Sequence, residues 1–432
     1  MTSEYRAIQP SEGRWLALIV GVGLALRAAA IASLDHVPES DELAYISMAI
    51  NLLAGHGIVD AMGNHAMYNV GYPLFVLAPV FSVFGESLVA GRVANLLLGG
   101  VTIVFCHQVA REAGAGPLGR LAAAALWAIY LPASVYGVYL LKENLMTPLM
   151  LGVVWCALRW LRRPSARTAA LCGALFGLLA LTGNAALSLV ALAASALVLT
   201  PAPIARRIRL GLVMAASAVL VAAPWTIRNL QVVGAPVLNT NGGFNLYLGN
   251  NPAATGMFVS IADTPRGPTW EALRKTGEVQ ASKTLGQEAV AWARAHPAEF
   301  LGLALRKAAY FWTPPLHEGK GESSTIERVV RLLWAVQFIA LAAAALGSVL
   351  IGRLRNRQTA LLWLALTCYT AVHMLFYVIF RYREPIMPVL VVLAALTIEA
   401  LVAAWLRLRG QTSLAGIMDG EGSGRTAGRR GR

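Results

Sequence analysis

Charge is scarce in this chain: 13% of its 432 residues are Asp, Glu, Lys or Arg, against 57% hydrophobic residues. A soluble enzyme of this length would carry roughly a quarter of its residues as charges, so a water-exposed globule is excluded and the bilayer is the solvent. Cysteine is nearly absent. The four present, Cys106, Cys156, Cys172 and Cys368, lie inside apolar segments without paired spacing or histidine partners, which leaves them as small core residues and not as metal ligands. Neither a P-loop nor an HExxH helix occurs, which argues against an ATP-driven pump and a membrane zinc protease. No internal repeat is detectable. Acidic residues are outnumbered 22 to 36 by Lys and Arg, for a net charge of +14. That excess does not imply nucleic acid as a partner, because most arginines sit in short clusters between apolar runs, where they act as topology signals.

What is present is apolar length. Candidate spans fall near residues 15–34, 88–110, 119–138, 144–161, 168–183, 185–200, 207–223, 329–351, 359–380 and 386–406, which makes about ten transmembrane helices. The run from Trp15 to Leu34 has no small-residue cleavage site and is too long for a secretory h-region, so it is a retained first span. Basic clusters at Arg111 and Arg120, Arg159 to Arg167, Arg206 to Arg209, Arg353 to Arg357, and Arg407 with Arg409 occupy every second loop. They place both termini in the cytoplasm. The run from Tyr72 to Phe84 is only about half a span and holds Pro73 and Pro79, which predicts an interfacial or re-entrant helix. The expected fold is therefore an all-α polytopic protein with a single transmembrane domain over residues 1–410. Amphipathic helix lies in the first non-cytoplasmic loop (35–87), a large non-cytoplasmic loop (224–328) precedes the eighth span, and a Gly, Ser and Arg-rich tail (411–432) is expected to be disordered.

Aqueous chemistry belongs in the two long loops. The second carries turn-rich text, Asn239 to Gly243 and Gly249 to Pro252. Helix is expected again from Ala281 to Trp312, lying on the membrane with Phe300, Leu301, Leu305, Phe311 and Trp312 toward lipid. In the first loop, Leu43, Ile46, Ile50 and Leu53 recur at helical spacing after an acidic cluster, predicting a short amphipathic helix that Gly55 ends. Asp41 stands at its N-terminus as a helix cap, where the dipole favours an ionised carboxylate able to act as a base. Glu42 is a supporting carboxylate. Cations are depleted from non-cytoplasmic loops, so Lys142, Arg228, Arg381 and Arg383 are candidate contacts for phosphate oxygens, a role that suits planar guanidinium groups. They could instead snorkel or pair with Glu143 and Glu384. Tyr45, Tyr68 and Asn250 are candidate contacts for an acceptor or sugar. Arg27 and Arg92 should face the protein interior, Arg27 as a bridge between helices. His36, His56 and His65 match no common zinc spacing, and no metal site is assigned. Gly114 to Gly119 satisfies the glycine pattern of a dinucleotide site, but it lies between two spans instead of between strand and helix and is dismissed.

Taken in order, these elements resemble the GT-C superfamily of membrane glycosyltransferases, in particular the family 39-like branch of protein O-mannosyltransferases and the lipid A aminoarabinose transferase. The resemblance rests on Asp41, Glu42, Tyr45, Ala49, Leu53 and Gly55, then Tyr72-Pro73-Leu74, Phe84-Gly85 and Arg92. It continues through Pro224-Trp225-Thr226-Ile227-Arg228-Asn229, Asn241-Gly242-Gly243, Gly249-Asn250-Asn251-Pro252 with Gly256, and Arg381-Tyr382-Arg383. Where the aminoarabinose transferases carry a Lys before this Pro-Leu segment, the chain has Gly71. The resemblance implies a polyprenyl-phosphate-sugar donor, Asp41 as general base, inversion at the sugar carbon, and arginines on the departing phosphate. The acceptor would be a glycan, a glycolipid or a protein, at the periplasmic face of a bacterial inner membrane. No cofactor is required on this reading, and a divalent metal is left open. The rival is a polytopic transporter or flippase for a lipid-linked sugar. Against it stand the missing repeat, the concentration of charge at one face and the large loop. A non-catalytic scaffold is the third reading, disfavoured if Asp41 and the arginines converge.

Overall fold

The computed structural model describes residues 9–314 and 325–421. In chain order its helices are α1 (Gln9–Ser33), α2 (Asp41–Leu53), α3 (Ala78–Phe84), α4 (Leu88–Glu112), α5 (Pro117–Ala128), α6 (Leu131–Val135), α7 (Glu143–Trp160), α8 (Ala166–Thr182) and α9 (Val190–Leu199). They continue as α10 (Ile204–Val233), α11 (Asn241–Gly249), α12 (Trp270–Arg274), α13 (Glu278–Ala295), α14 (Pro297–Trp312), α15 (Thr325–Leu350), α16 (Arg357–His373) and α17 (Met387–Glu421). No strand ladder forms among the described residues; one isolated bridge joins Met257 and Val378. The chain is a multi-pass membrane protein. Five described helices are long and apolar enough to cross a bilayer, and six if the bent pair α5 and α6 is counted as one. The other expected spans coincide with helix in part: α16 ends at His373, short of the expected 380, and α8, the stretch 184–199 and α16 have at most 17 residues, about 25 Å at 1.5 Å per residue.

Sequence chemistry sets several helix ends. Ser87, Ser165 and Asn356 accept from the backbone N–H three residues on, satisfying one free donor at each N-terminus. The short apolar run after Tyr72 is a π-helical turn (Pro73–Leu77) leading into α3, as its two prolines and length imply. Apolar faces pack around α17, whose spanning segment is 72% buried; α5, α15 and α16 pack against it. On α8, Gly173 and Gly177 form a small-residue stripe against α10. A Cβ at Gly173 would sit 2.1 Å from the Met214 carbonyl oxygen, and one at Gly177 would sit 2.5 Å from Val221. Close backbone approach of this kind is how helices gain packing energy in lipid, where no hydrophobic drive separates helix from tail.

The span expected over 119–138 is not straight. It bends by 54° between α5 and α6, where Pro132 removes a helical hydrogen bond and the Ala128 and Ile129 carbonyls and the Leu131 N–H have no helical partner. Two side chains pair these groups. Arg27, buried in α1, donates to the carbonyls of Ala128 (3.1 Å) and Trp127 (3.3 Å), and to Gly23 (3.0 Å). Gln337, from α15, donates to Ile129 O (3.0 Å) and accepts from Leu131 N (2.9 Å). Irregular backbone at membrane depth survives only when protein groups satisfy it in this way. Arg27→Met leaves the Ala128 carbonyl without a donor, at roughly 1–3 kcal/mol, and removes the second donor of Trp127 O, which keeps Tyr130 N (3.3 Å). The expected result is a clearly lower melting temperature in detergent; an unchanged one would show that the bend satisfies itself.

The dismissed glycine pattern has a structural use. Glu399 of α17 accepts from Gly116 N (3.0 Å) and Gly119 N (3.1 Å), so a carboxylate of the same chain fills the anion-seeking N-terminus of α5. Other expectations shift. The helix expected over 281–312 breaks at His296, where Pro297 starts α14. Leu301 and Leu305 are exposed, as a lipid-facing surface requires, but Phe311 is buried against Tyr369 and His373. The last helix continues to Glu421, so helical backbone extends into the tail expected to be disordered, because the stretch Leu414 to Met418 supplies helix-forming residues among the glycines. Residues 422–432 of that tail lie outside the described residues, as do 315–324 of the large loop.

Candidate active site

Three of the arginine-rich loops meet at one end of the bundle. Arg206 donates to Pro164 O (2.9 Å), Arg162 to Arg111 O (3.5 Å), and Arg159 pairs with Glu112 (2.8 Å). The first loop and the cations Lys142, Arg228 and Arg381 belong to the loops at the other ends of these helices.

The chain enters α2 through Ser40, whose φ of 50° lies in the left-handed region. Non-glycine residues seldom occupy it, and such outliers concentrate at functional sites. Asp41 is the first helical residue and not the cap, and Ser40 makes no capping bond. The Asp41 carboxylate instead pairs with Arg381, 340 residues away. Arg381 Nε stands 3.6 Å from Glu143 Oε1, so one guanidinium lies between two carboxylates. Glu143 opens α7 and is buried.

Glu42 plays a different part. It is buried, accepts from Leu140 N (2.7 Å), and lies 2.5 Å from His36 Nε2. Arg92 fastens the same corner, donating to Val138 O (3.1 Å) and His36 O (2.6 Å). Asn95 adds bonds to Gly137 O (3.1 Å) and Tyr139 O (2.9 Å), and accepts from the Tyr72 hydroxyl (2.8 Å). Glu42 is thus a positioning residue that ties the Asp41 helix to the segment leading into Glu143.

Tyr45 is buried, with Tyr68 and Tyr72 edge-on to it at 5.9 Å. Burial first, then the Asp41 charge, push the phenols of Tyr45 and Tyr68 above their ordinary range, so both are neutral and can act only as hydrogen-bonding groups near Asp41. Tyr45 belongs to the apolar core under α2; Tyr68, half-buried, is the more open of the two.

Three expected contacts are elsewhere. Arg383 is buried, donating to Phe311 O (3.0 Å) and Thr313 O (2.8 Å) with the Phe338 ring 4.1 Å away; it fastens the end of α14 and does not join the Asp41 group. Arg228 donates to Ile58 O (2.9 Å) and His65 O (2.8 Å) and lies over Trp225, which ties α10 to the first loop. Asn250 is buried, donating to Leu246 O (2.8 Å) and Leu375 O (2.6 Å) and accepting from Lys307 Nζ (2.9 Å). In each case a polar group capable of ligand contact is used on backbone carbonyls that burial would otherwise leave unpaired.

Lys307 is fully buried, and desolvation lowers its pKa from 10.5 to about 8. Below pH 8 both folded and unfolded chains carry this proton, and the burial penalty is complete. Between pH 8 and 10.5 the unfolded chain binds more protons, so this contribution to stability rises with pH. Relative to Lys307→Met, which cannot titrate, wild type should gain melting temperature between pH 7.5 and 10. Parallel profiles would contradict this.

A cavity of about 130 Å³ lies beside the Arg381 group. Lys142 and Glu143 are its charged residues, and Tyr377 and Tyr382, whose hydroxyls are 3.1 Å apart, line it within reach of the Asp41 charge. The Lys142 side chain makes no hydrogen bond or ion pair with the described residues. Five asparagines, Asn69, Asn184, Asn239, Asn241 and Asn245, complete the polar lining. Among the described residues no three metal-ligating side chains converge.

Of the residues singled out in sequence, Asp41, Arg381, Tyr45 and Tyr68 come together with Lys142 nearby, supported by Glu42. Glu143, Tyr377, Tyr382 and the cavity asparagines were not singled out as site residues. The run Asn239 to Asn245 carried a signal, but it reads equally as turn chemistry.

No protein-family model matches the chain, and no curated protein does. Solved structures do. The archaeal oligosaccharyltransferase AglB from Archaeoglobus fulgidus, in complex with an inhibitory peptide and a dolichol-phosphate, superposes with a TM-score of 0.56 at 14% identity, over 98% of this chain and 52% of that one. The Archaeoglobus fulgidus oligosaccharyltransferase tethered to an acceptor peptide containing the NVT sequon gives a TM-score of 0.55 at 15% identity, covering 92% and 50%. ArnT from Cupriavidus metallidurans bound to undecaprenyl phosphate gives 0.45 at 16% identity, covering 89% and 78%. The chain spans about half the length of the archaeal oligosaccharyltransferases.

Proposed function

From the GT-C glycosyltransferase fold of this chain, we propose that it transfers a sugar from a polyprenyl-phosphate carrier to a hydroxyl acceptor, with Asp41 as general base. The observation that carries the reading is the meeting of Asp41, Arg381 and Glu143 beside a cavity that also holds Lys142. A carboxylate and phosphate-binding cations at one cavity suit this reaction. Asp41 takes the proton of the acceptor hydroxyl as its oxygen attacks the sugar's anomeric carbon. The bond from that carbon to the phosphate oxygen breaks, and the electron pair leaves with the lipid phosphate. Arg381 and Lys142 stabilise the charge that develops there. Attack opposite the leaving group inverts the carbon.

Arg381 pairs with Asp41, and a donor phosphate competes for the same guanidinium. Donor binding thereby frees the base. A divalent ion does not fit this donor set well, because a guanidinium occupies the space between the two carboxylates, and no step is assigned to a metal. Residues 1–410 form one catalytic unit on this reading, with about ten spans. Convergence of the alternate-loop arginines at the opposite end supports cytoplasmic termini and an active site facing the periplasm of a bacterial inner membrane. The acceptor is a glycan, a glycolipid or a protein.

The test is reconstitution in proteoliposomes with a polyprenyl-phosphate sugar labelled in the sugar. Label recovered covalently on acceptor material supports the transferase. Intact carrier moved across the bilayer without transfer would establish the flippase.

A further inference from the structure

Of the five cavity asparagines, Asn69 donates to Asn184 Oδ1 (3.1 Å), and the other three differ from asparagines that hold the fold elsewhere in the chain. Asn95, Asn144, Asn229, Asn250 and Asn251 each donate a side-chain hydrogen bond to backbone carbonyls. They hold the fold. Among the described residues, by contrast, no protein group bonds to the side chains of Asn239, Asn241 or Asn245, and the Asn239 amide nitrogen is buried without a partner. A buried donor left unpaired costs about 1–3 kcal/mol; the Asn239 amide nitrogen is such a donor, and with the open amides of Asn241 and Asn245 on the same lining it points to a ligand that pairs them.

An amide presents both donors and an acceptor, which matches a hydroxyl, itself both donor and acceptor. Tyr377, Tyr382 and Phe376 add aromatic surface to the same lining, suited to the C–H face of a sugar ring. The charges weigh against other ligands. An ammonium-bearing sugar would meet the Lys142 charge, and Glu143, the carboxylate of the lining, lies 3.6 Å from Arg381 Nε with its Oε2 left unpaired, so the amino-sugar is the competitor that the binding test includes. A sugar carboxylate would compete with the carrier phosphate for Lys142 and would face Glu143. At about 130 Å³ the cavity is on the scale of a single sugar unit.

We infer that this cavity binds an uncharged, hydroxyl-rich monosaccharide on the carrier, and that Asn239, Asn241 and Asn245 select it. The inference rests on the transferase reading above. It is tested with the purified full chain in nanodiscs, measuring binding of polyprenyl phosphate alone and of the same carrier bearing a hexose, an amino-pentose or a hexuronate. The hexose-bearing carrier should bind at least tenfold tighter than the bare carrier, and the two charged sugars should give no gain. Asn241→Ala with Asn245→Ala should abolish the tenfold gain while bare carrier binds as to wild type, which also reports an intact fold. A charged sugar preferred over the hexose, or a hexose gain that survives in the double variant, overturns the inference and leaves the transferase standing. Absence of binding by bare and loaded carriers alike overturns both.

Discussion

Asp41→Asn should lower sugar transfer by about 10²–10⁴-fold, the usual contribution of a general base, with little loss of protein. The substitution keeps the side chain's size and removes only its capacity to take a proton. Arg381 retains Glu143 as a partner, and the Asp41 side chain is 25% exposed, so no charge is stranded in an apolar interior. The pairing is part-solvated and carries modest energy. Donor binding should survive or improve, since the guanidinium no longer divides itself between Asp41 and the phosphate. A rate loss with donor affinity retained therefore identifies chemistry and not recognition. Wild-type rates with matched protein levels would remove Asp41 from the mechanism. Asp41→Glu moves the carboxylate by one methylene and should restore only a fraction of the rate, because base catalysis depends on reach as well as charge.

Much of this arrangement could be read from residue text. The positions of α2 and Asp41 follow from an acidic cluster ahead of helical apolar spacing, and Arg381 stood out because cations are rare in loops on that side. The fates of Arg383, Arg228 and Asn250 did not follow. Each has the chemistry of a ligand contact, but the deciding fact is which backbone carbonyls lie within reach after folding, and those belong to residues distant in sequence. The bend at 129–131 was hidden for a related reason: the stretch is apolar throughout, and its repair depends on Arg27 and Gln337 from other helices. The cavity asparagines stand in text that signals turns. Only the lack of side-chain partners at Asn239, Asn241 and Asn245 separates them from the turn formers, and at Asn239 the unpaired amide nitrogen is buried.

Arg381→Gln is expected to reduce transfer by about 10²–10³-fold, the scale of one lost donor to a developing negative charge, and to weaken donor binding as well. Arg381→Lys keeps the charge but loses the planar fork that can face a carboxylate and a phosphate together, so partial rescue is expected. Arg381 has two separable tasks on this reading: it holds Asp41 in the resting enzyme, and it meets phosphate during transfer. The double variant Asp41→Asn with Arg381→Gln distinguishes them. If Arg381 acted only by holding Asp41, its removal would change nothing once the base is gone, and the double variant would match Asp41→Asn alone. A guanidinium that stabilises the departing phosphate still matters without the base, so the double variant should be slower than Asp41→Asn and should bind donor more weakly. Equality of the two in both rate and donor affinity would reassign Arg381 to positioning and leave Lys142 as the cation to test against the phosphate.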